Sequence, residues 1–192
     1  MSLAAAAREA RGVMLSDGDL RMLLPGVPIM SYPQLAIHTG SLRDAMDARG
    51  RLLLFLPVRD ERTGHWVAVM WRRGAYHYFD PYGLPLDAAR AYAADPRRVG
   101  VDRPLLERLL LREGRPVVES RVRFQRQRQD ITTCGAWCVL RLMHASLSDS
   151  KFARMIAAQL AALSPEERAA LPDIDAAIAL WVQQLLRAAT GR

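Results

Sequence analysis

The sequence predicts an α+β fold, and three observations carry that expectation. Patterned segments run in the order helices, strands, helices, which segregates the two kinds of structure instead of alternating them. A hairpin signature occupies the middle, between His65 and Phe79. At 192 residues the chain fits one domain, residues 1–192, large enough to bury a core without disulfide or metal.

The N-terminal stretch to Leu15 is alanine-rich but interrupted by Arg8, Glu9 and Arg11. It therefore lacks the unbroken apolar region of a secretory signal, and a short helix is expected there. Its excess of arginine over acid leaves a presequence as the other reading. Ser16 can cap a helix to Leu24, with Asp17 and Asp19 in its first turn and Pro25-Gly26 stopping it. Pro28, Tyr32 and Pro33 argue for an extended or looping path, and Leu42 to Ala48 is again helix-like, closed by Gly50.

Leu52 to Val58 is a continuous apolar run of strand length, as expected for a strand buried on both faces. His65 to Trp71 and Ala75 to Phe79 are rich in β-branched and aromatic residues and flank Arg72-Arg73-Gly74, so they form a central antiparallel hairpin. Pro81, Gly83 and Pro85 break it just after Asp80. Helices are expected at Leu86 to Ala94 and Pro104 to Leu111, a strand at Val117 to Phe124, and a further helix from Thr133. Ser148 to Leu163 is an amphipathic helix, and Ser164-Pro165-Glu166-Glu167 is a capping box that starts another. The last helix carries Ile174, Ile178, Trp181 and Leu185 on one stripe.

Composition excludes several classes. Half of the residues are apolar (51%), yet no apolar run reaches the length of a membrane span, so a soluble globular protein with no membrane partner is expected. Two cysteines four residues apart cannot build a disulfide framework, which indicates a reducing, intracellular setting. With no second cysteine pair and no close histidine pair, a structural metal site is not expected. The net charge is +7, almost all of it arginine, since Lys151 is the only lysine. Such a balance favours nucleic acid or another polyanion as a partner.

Chemistry concentrates around Gln129 to Leu140. The polar approach ends in two threonines, and an apolar helix begins at Cys134. A thiol there meets the positive end of the helix dipole and unpaired backbone N–H groups, both of which favour thiolate. Gly135 would let a substrate carbonyl approach the backbone donors. Taken alone, Cys134 and Cys138 also fit the plainer reading of two small buried hydrophobes on one helix face. The hairpin adds a partner. With the turn at Arg72-Arg73-Gly74, His65 and Asp80 come side by side at its open end, roughly 5 Å apart, where a carboxylate can orient an imidazole. Gln125, Gln127 and Gln129 precede the cysteine and could donate to a developing oxyanion. Trp66 is expected to shield His65 and wall the substrate cleft together with Gly135.

Gly64-His65-Trp66, Phe79-Asp80-Pro81-Tyr82-Gly83, an upstream glutamine and Thr133-Cys134-Gly135 together resemble the His, acid, Gln, Cys series of the cysteine-protease clan that contains adenovirus proteinase and the SUMO-deconjugating proteases. The resemblance covers Leu52 to His144 and is closest to the adenovirus-like proteases of large DNA viruses. It implies a central mixed, mainly antiparallel sheet packed against helices, with a papain-like Cys-His arrangement of the adenovirus-proteinase type. It further implies Cys134 as nucleophile, His65 as general base and Asp80 as the acid that orients it. Family spacing favours Gln127 for the oxyanion; local context, at the end of a strand, favours Gln125.

The implied function is a cysteine endopeptidase that cleaves protein precursors, viral structural proteins during particle maturation, in the virion or the host cytoplasm or nucleus. Removal of ubiquitin or a ubiquitin-like modifier is the alternative within the clan. A basic virion or nucleic-acid-binding protein built on a protease scaffold is the alternative of another class. The sequence requires no cofactor, although the resemblance admits DNA or an activating peptide. Arg121, Arg123, Arg126 and Arg128 form the densest basic stretch and the candidate polyanion contact.

Overall fold

The computed structural model describes residues 2–128 and 130–191. In chain order its elements are helices α1 (Leu3–Gly12) and α2 (Asp17–Leu23), strands β1 (Ile29–Ser31), β2 (Arg51–Asp60), β3 (Thr63–Arg72) and β4 (Ala75–Phe79), helix α3 (Leu105–Glu113), strand β5 (Val117–Glu119), and helices α4 (Cys134–Met143), α5 (Asp149–Ala161), α6 (Pro165–Ala170) and α7 (Ile174–Thr190). The fold is α+β, with a mixed five-stranded sheet packed against helical segments. Contacts gather into two compact units: Gly26–Arg123, and the described residues of Met1–Pro25 with Phe124–Arg192.

The sheet unit has strand order β1-β2-β3-β4-β5. Strands β2, β3 and β4 pair antiparallel, while β1 joins β2 and β5 joins β4 in parallel. Leu52, Leu53, Leu54 and Leu56 of β2 are all buried, as the unbroken apolar run requires of a strand covered on both faces. One face of the sheet, with Leu54, Val67, Val69 and Tyr78, forms a continuous core with Leu106, Leu109 and Leu110 of α3. Each such side chain contributes about 1.5–3 kcal/mol by leaving water.

Three expectations for this unit need correction. The hairpin turns on two residues, not three: Arg72 faces Ala75, and Arg73 (φ 54°) and Gly74 (φ 79°) take the left-handed conformations that match a tight turn to strand twist. The expected strand Val117 to Phe124 stops at Glu119. It has nothing further to pair with, because β4 ends at Phe79 and Pro81 cannot extend the ladder. The helices expected at Leu42 to Ala48 and Leu86 to Ala94 are short 3-10 segments, Leu42–Ala45 and Ala88–Tyr92.

In the helical unit α7 packs on α1, α2 and α4. The expected caps form: Ser16 with Asp19, and Ser164 with Glu167, each make a reciprocal capping box. Every residue of α4 from Cys134 to Leu142 is buried, as befits a helix apolar on all sides but for Arg141, whose charge pairs with Asp149. The buried residues of α7 are Asp175, Ala176, Ala177, Ile178, Ala179 and Val182; of the expected stripe, Ile178 is buried, Ile174 and Trp181 are half-buried and Leu185 is exposed. An acid thus occupies the first position of an otherwise apolar face.

Candidate active site

In the sheet unit, His65 and Asp80 meet. His65 Nε2 lies 3.1 Å from Asp80 Oδ1, and both side chains are buried. The ladder that pairs Ala68 with Phe79 extrapolates to His65 opposite Tyr82, two places from the expected register. A shift of two preserves the face on which each side chain stands, so Asp80 becomes a diagonal neighbour of His65 and still reaches it.

The sequence Asp80-Pro81-Tyr82-Gly83 dictates how the acid is held. Acid first, proline second and glycine last is the preferred composition of a tight turn. Gly83 N–H donates to the Asp80 carbonyl at 2.8 Å, and Tyr82 N–H donates to Asp80 Oδ1 at 2.7 Å. The backbone therefore aims the carboxylate before the imidazole meets it. Asp80 Oδ2 is buried with no hydrogen-bond partner among the described residues.

Tyr82 stacks on the His65 ring with centroids 4.7 Å apart and planes 6° from parallel, and Tyr92 meets Tyr82 edge-on at 6.1 Å. Burial, then the nearby Asp80 charge, raises the Tyr92 hydroxyl above its ordinary pKa. Trp66 follows His65 on the strand and so projects to the opposite face, where it packs against Phe55 at 4.7 Å. The aromatic stacked on the histidine is thus Tyr82, not Trp66. Gly64 also matters: a Cβ there would come within 2.1 Å of the Leu56 carbonyl oxygen, so only glycine lets β2 and β3 close beside His65.

In the helical unit, Cys134 is the first residue of α4, as its sequence implied. It retains 8% exposure, whereas Cys138, one turn inside, has none. Thr133 holds the N-cap position, but its hydroxyl does not cap the helix. It donates instead to Asp175 Oδ1 at 2.8 Å, and the Trp137 indole N–H donates to the same oxygen at 2.8 Å. Arg126 N–H donates to Asp175 Oδ2 at 3.2 Å. Burial raises this carboxyl above its ordinary range, and the three hydrogen bonds only partly offset that. Gly135 is buried in the first turn of α4.

Gln125 and Gln127 differ sharply in setting. Gln125 is fully buried, and its side-chain amide donates to the Ile131 carbonyl at 3.4 Å. Gln127 is exposed, and Gln129 lies outside the described residues. The loop's far end is tied to α1. Arg11 pairs with Asp130 at 2.5 Å and with Asp173 at 2.7 Å, and its carbonyl accepts from Thr132 N–H at 3.1 Å.

No family model matches the sequence. Over 148 residues the chain is 30% identical to Uncharacterized protein V9 of the Sputnik virophage, a match that spans 75% of this chain and 83% of that protein. The chain belongs to the V9 family. That relative is a viral protein, in keeping with the expected viral setting.

The other histidines of this V9-family chain have plain environments. His38 bonds the Ser41 carbonyl at 2.7 Å, His77 meets Arg72 at 2.9 Å, and His144 closes α4, its pKa lowered by burial and then by the Arg141 charge. Of the four arginines in the basic stretch, Arg121 pairs with Glu119 and Arg128 with Asp130, so two already carry an acid. Among the described residues no cluster could hold a metal ion, and no helix is long and apolar enough to cross a membrane.

Two features of the site escaped the sequence reading. Tyr82 was visible inside the Asp-Pro-Tyr-Gly turn, but its partner depends on a register two places from the expected pairing. Asp175 reads as an ordinary first-turn acid; its signal is the 175, 178, 179, 182 spacing of the buried face.

Proposed function

We propose that the chain is a cysteine endopeptidase that resembles the adenovirus-proteinase clan and cleaves viral precursor proteins. Membership of the V9 family supports the viral setting. The observation that carries the reading is the buried contact of His65 Nε2 with Asp80 Oδ1 at 3.1 Å. It fixes the ring's orientation, and in this reading proton exchange with the thiol falls to Nδ1.

In this mechanism His65 takes the proton of the Cys134 thiol. The thiolate attacks the scissile carbonyl, whose oxygen becomes an oxyanion held by backbone N–H groups at the start of α4 and by a glutamine amide. Collapse breaks the C–N bond, and His65 returns its proton to the leaving amine. Water, deprotonated by His65, then cleaves the thioester and restores the thiol. Gln127 has the family spacing, but burial favours Gln125, because an amide already fixed in place loses little freedom when it binds the oxyanion. In parallel variants, Gln125→Ala should lower kcat by about 10²- to 10³-fold and Gln127→Ala should leave it near wild type.

The decisive experiment incubates the purified chain with a proteome-derived peptide library and reads new termini by mass spectrometry. Wild-type chain should generate a consistent cleavage motif, and folded Cys134→Ala and His65→Ala variants should generate none. Cleavage undiminished in Cys134→Ala sinks the proposal. Reaction of Cys134 with ubiquitin-like vinyl sulfone probes, without peptide cleavage, would move the substrate to a ubiquitin-like conjugate.

A further inference from the structure

Two chain segments must be held in register if Gln125 and the Cys134 backbone are to share one oxyanion, and one buried side chain touches both. We propose that Asp175 is a positioning residue that fixes the Gln125-Arg126 segment against the first turn of α4. The inference rests on the peptidase reading above and adds the group that assembles its oxyanion site.

The geometry divides the work between two oxygens. Asp175 Oδ1 accepts from Thr133, the residue before the nucleophile, and from Trp137, one turn after it, both at 2.8 Å. Oδ2 accepts from Arg126 N–H, the peptide next to Gln125, at 3.2 Å. Asp175 is fully buried. In such a setting an ionised carboxylate is kept only where its lone pairs are used, and bonds to it are about twice as strong as neutral ones. The surroundings are stiff. Trp137 has no exposure and packs against Phe124 at 5.4 Å, and Phe124 immediately precedes Gln125. The acid stands at the start of α7, where the helix's own N–H groups favour negative charge. The adjacent Asp173 caps α7 through Ala176 N–H at 3.0 Å while Arg11 neutralises it.

The two arms can be cut separately. Asn at 175 keeps an oxygen for Thr133 and Trp137 but opposes an NH2 group to Arg126 N–H. Thr133→Val removes one donor from the α4 arm with little change of shape, and Trp137→Phe removes the other while also leaving a cavity in the core.

The test first uses the full chain without substrate. Amide exchange at Arg126 and the rate of Cys134 alkylation by iodoacetamide are measured for wild type, Asp175→Asn, Thr133→Val and Trp137→Phe. Asp175→Asn should quicken Arg126 exchange by about tenfold or more. Thr133→Val and Trp137→Phe should alter the alkylation rate. If Asp175→Asn leaves Arg126 exchange at the wild-type rate, or if both α4-arm variants alkylate as wild type does, the proposal is overturned. Should Asp175→Asn fail to fold, the α4-arm variants decide by the same alkylation criterion.

The second arm hydrolyses the best-cleaved library peptide and compares Gln125→Ala, Asp175→Asn and the double variant. Each single change should lower kcat by about 10²-fold with KM held, and the double should be no slower than Gln125→Ala alone. Losses that multiply in the double variant mean that Asp175 does not act through Gln125, and they overturn the proposal. Wild-type chain that shows no Cys134-dependent cleavage overturns the peptidase reading alone, and exchange and alkylation then decide the role of Asp175.

Discussion

Two buried aspartates hold candidate residues, Asp80 in the sheet unit and Asp175 in the helical unit, and they are recruited in opposite ways. Asp80 is local: it belongs to the turn that follows β4, accepts from Tyr82 N–H two residues on, and meets His65 across a hairpin 15 residues apart. Asp175 is distant: Thr133, Trp137 and Arg126 lie 42, 38 and 49 residues away. A carboxylate aimed by its own turn is specified wherever that turn forms. One supplied by a remote helix exists only when the tertiary packing is complete, so its site should be the more easily disturbed.

The largest effect expected from this contrast is at Asp80. Replacing it with alanine strips the partner from a buried imidazole and from Tyr82 N–H, and kcat should fall by about 10²- to 10⁴-fold, the range of a lost acid-base assembly. The unmet donors should also cost about 1–3 kcal/mol of stability, readable in urea unfolding. Because the turn is local, the far-ultraviolet circular dichroism should stay unchanged. A variant that keeps wild-type kcat would remove Asp80 from the site.

A second comparison separates steric from electrostatic support. Gly64→Ala places a Cβ 2.1 Å from the Leu56 carbonyl oxygen, and relief of that contact must push β2 and β3 apart beside His65. A loss of about 1–3 kcal/mol is expected, with a shift of the His65 ring resonances and no matching change at Trp137. Equal perturbation of both regions would show that they are not independently built.

How much of this was legible in sequence follows the same division. Strands β2, β3 and β4, the capping boxes at Ser16 and Ser164 and the helix start at Cys134 were readable because each depends on residues within a few positions of one another. His65 and Asp80 were paired correctly from an incorrect register. The expected pairing of His65 with Asp80 lies two places from the observed ladder, and side-chain alternation forgives an even slip. The strand expected through Phe124 ended early because its length is set by the neighbour it pairs with, not by its own alternation. Asp175 was invisible for a related reason: a single acid on an apolar stripe acquires meaning only from donors that folding brings to it. The preference for Gln127 came from spacing, whereas burial distinguishes Gln125.

Asp175 should also report on pH. Burial raises the Asp175 carboxyl, and the Asp173 charge adds to the effect, with Arg11 beside Asp173 to moderate it. A carboxyl raised in the folded state favours folding while it is protonated, so its contribution is complete below the unfolded value near 4 and is lost as pH rises through the folded value. The stability advantage of wild type over Asp175→Asn should therefore shrink as pH rises above about 4. Urea midpoints of both proteins across that rise test this; parallel curves would contradict the raised carboxyl.

The smallest expected effect concerns the ring stacked on His65. Because Tyr82 lies 4.7 Å from the imidazole at 6°, it can hold the ring flat without taking part in proton transfer. Tyr82→Phe keeps the stacking face and should match wild type in both stability and cleavage. Tyr82→Leu keeps apolar volume but loses the aromatic pair, worth about 0.5–1.5 kcal/mol, and kcat should fall by about tenfold or less. Since Tyr82 N–H still holds Asp80 in either variant, any loss in Tyr82→Leu reports the freedom gained by the imidazole and not a displaced acid. Equal losses in the two variants would instead assign the work to the tyrosine hydroxyl, and His65 would then be oriented by Asp80 alone.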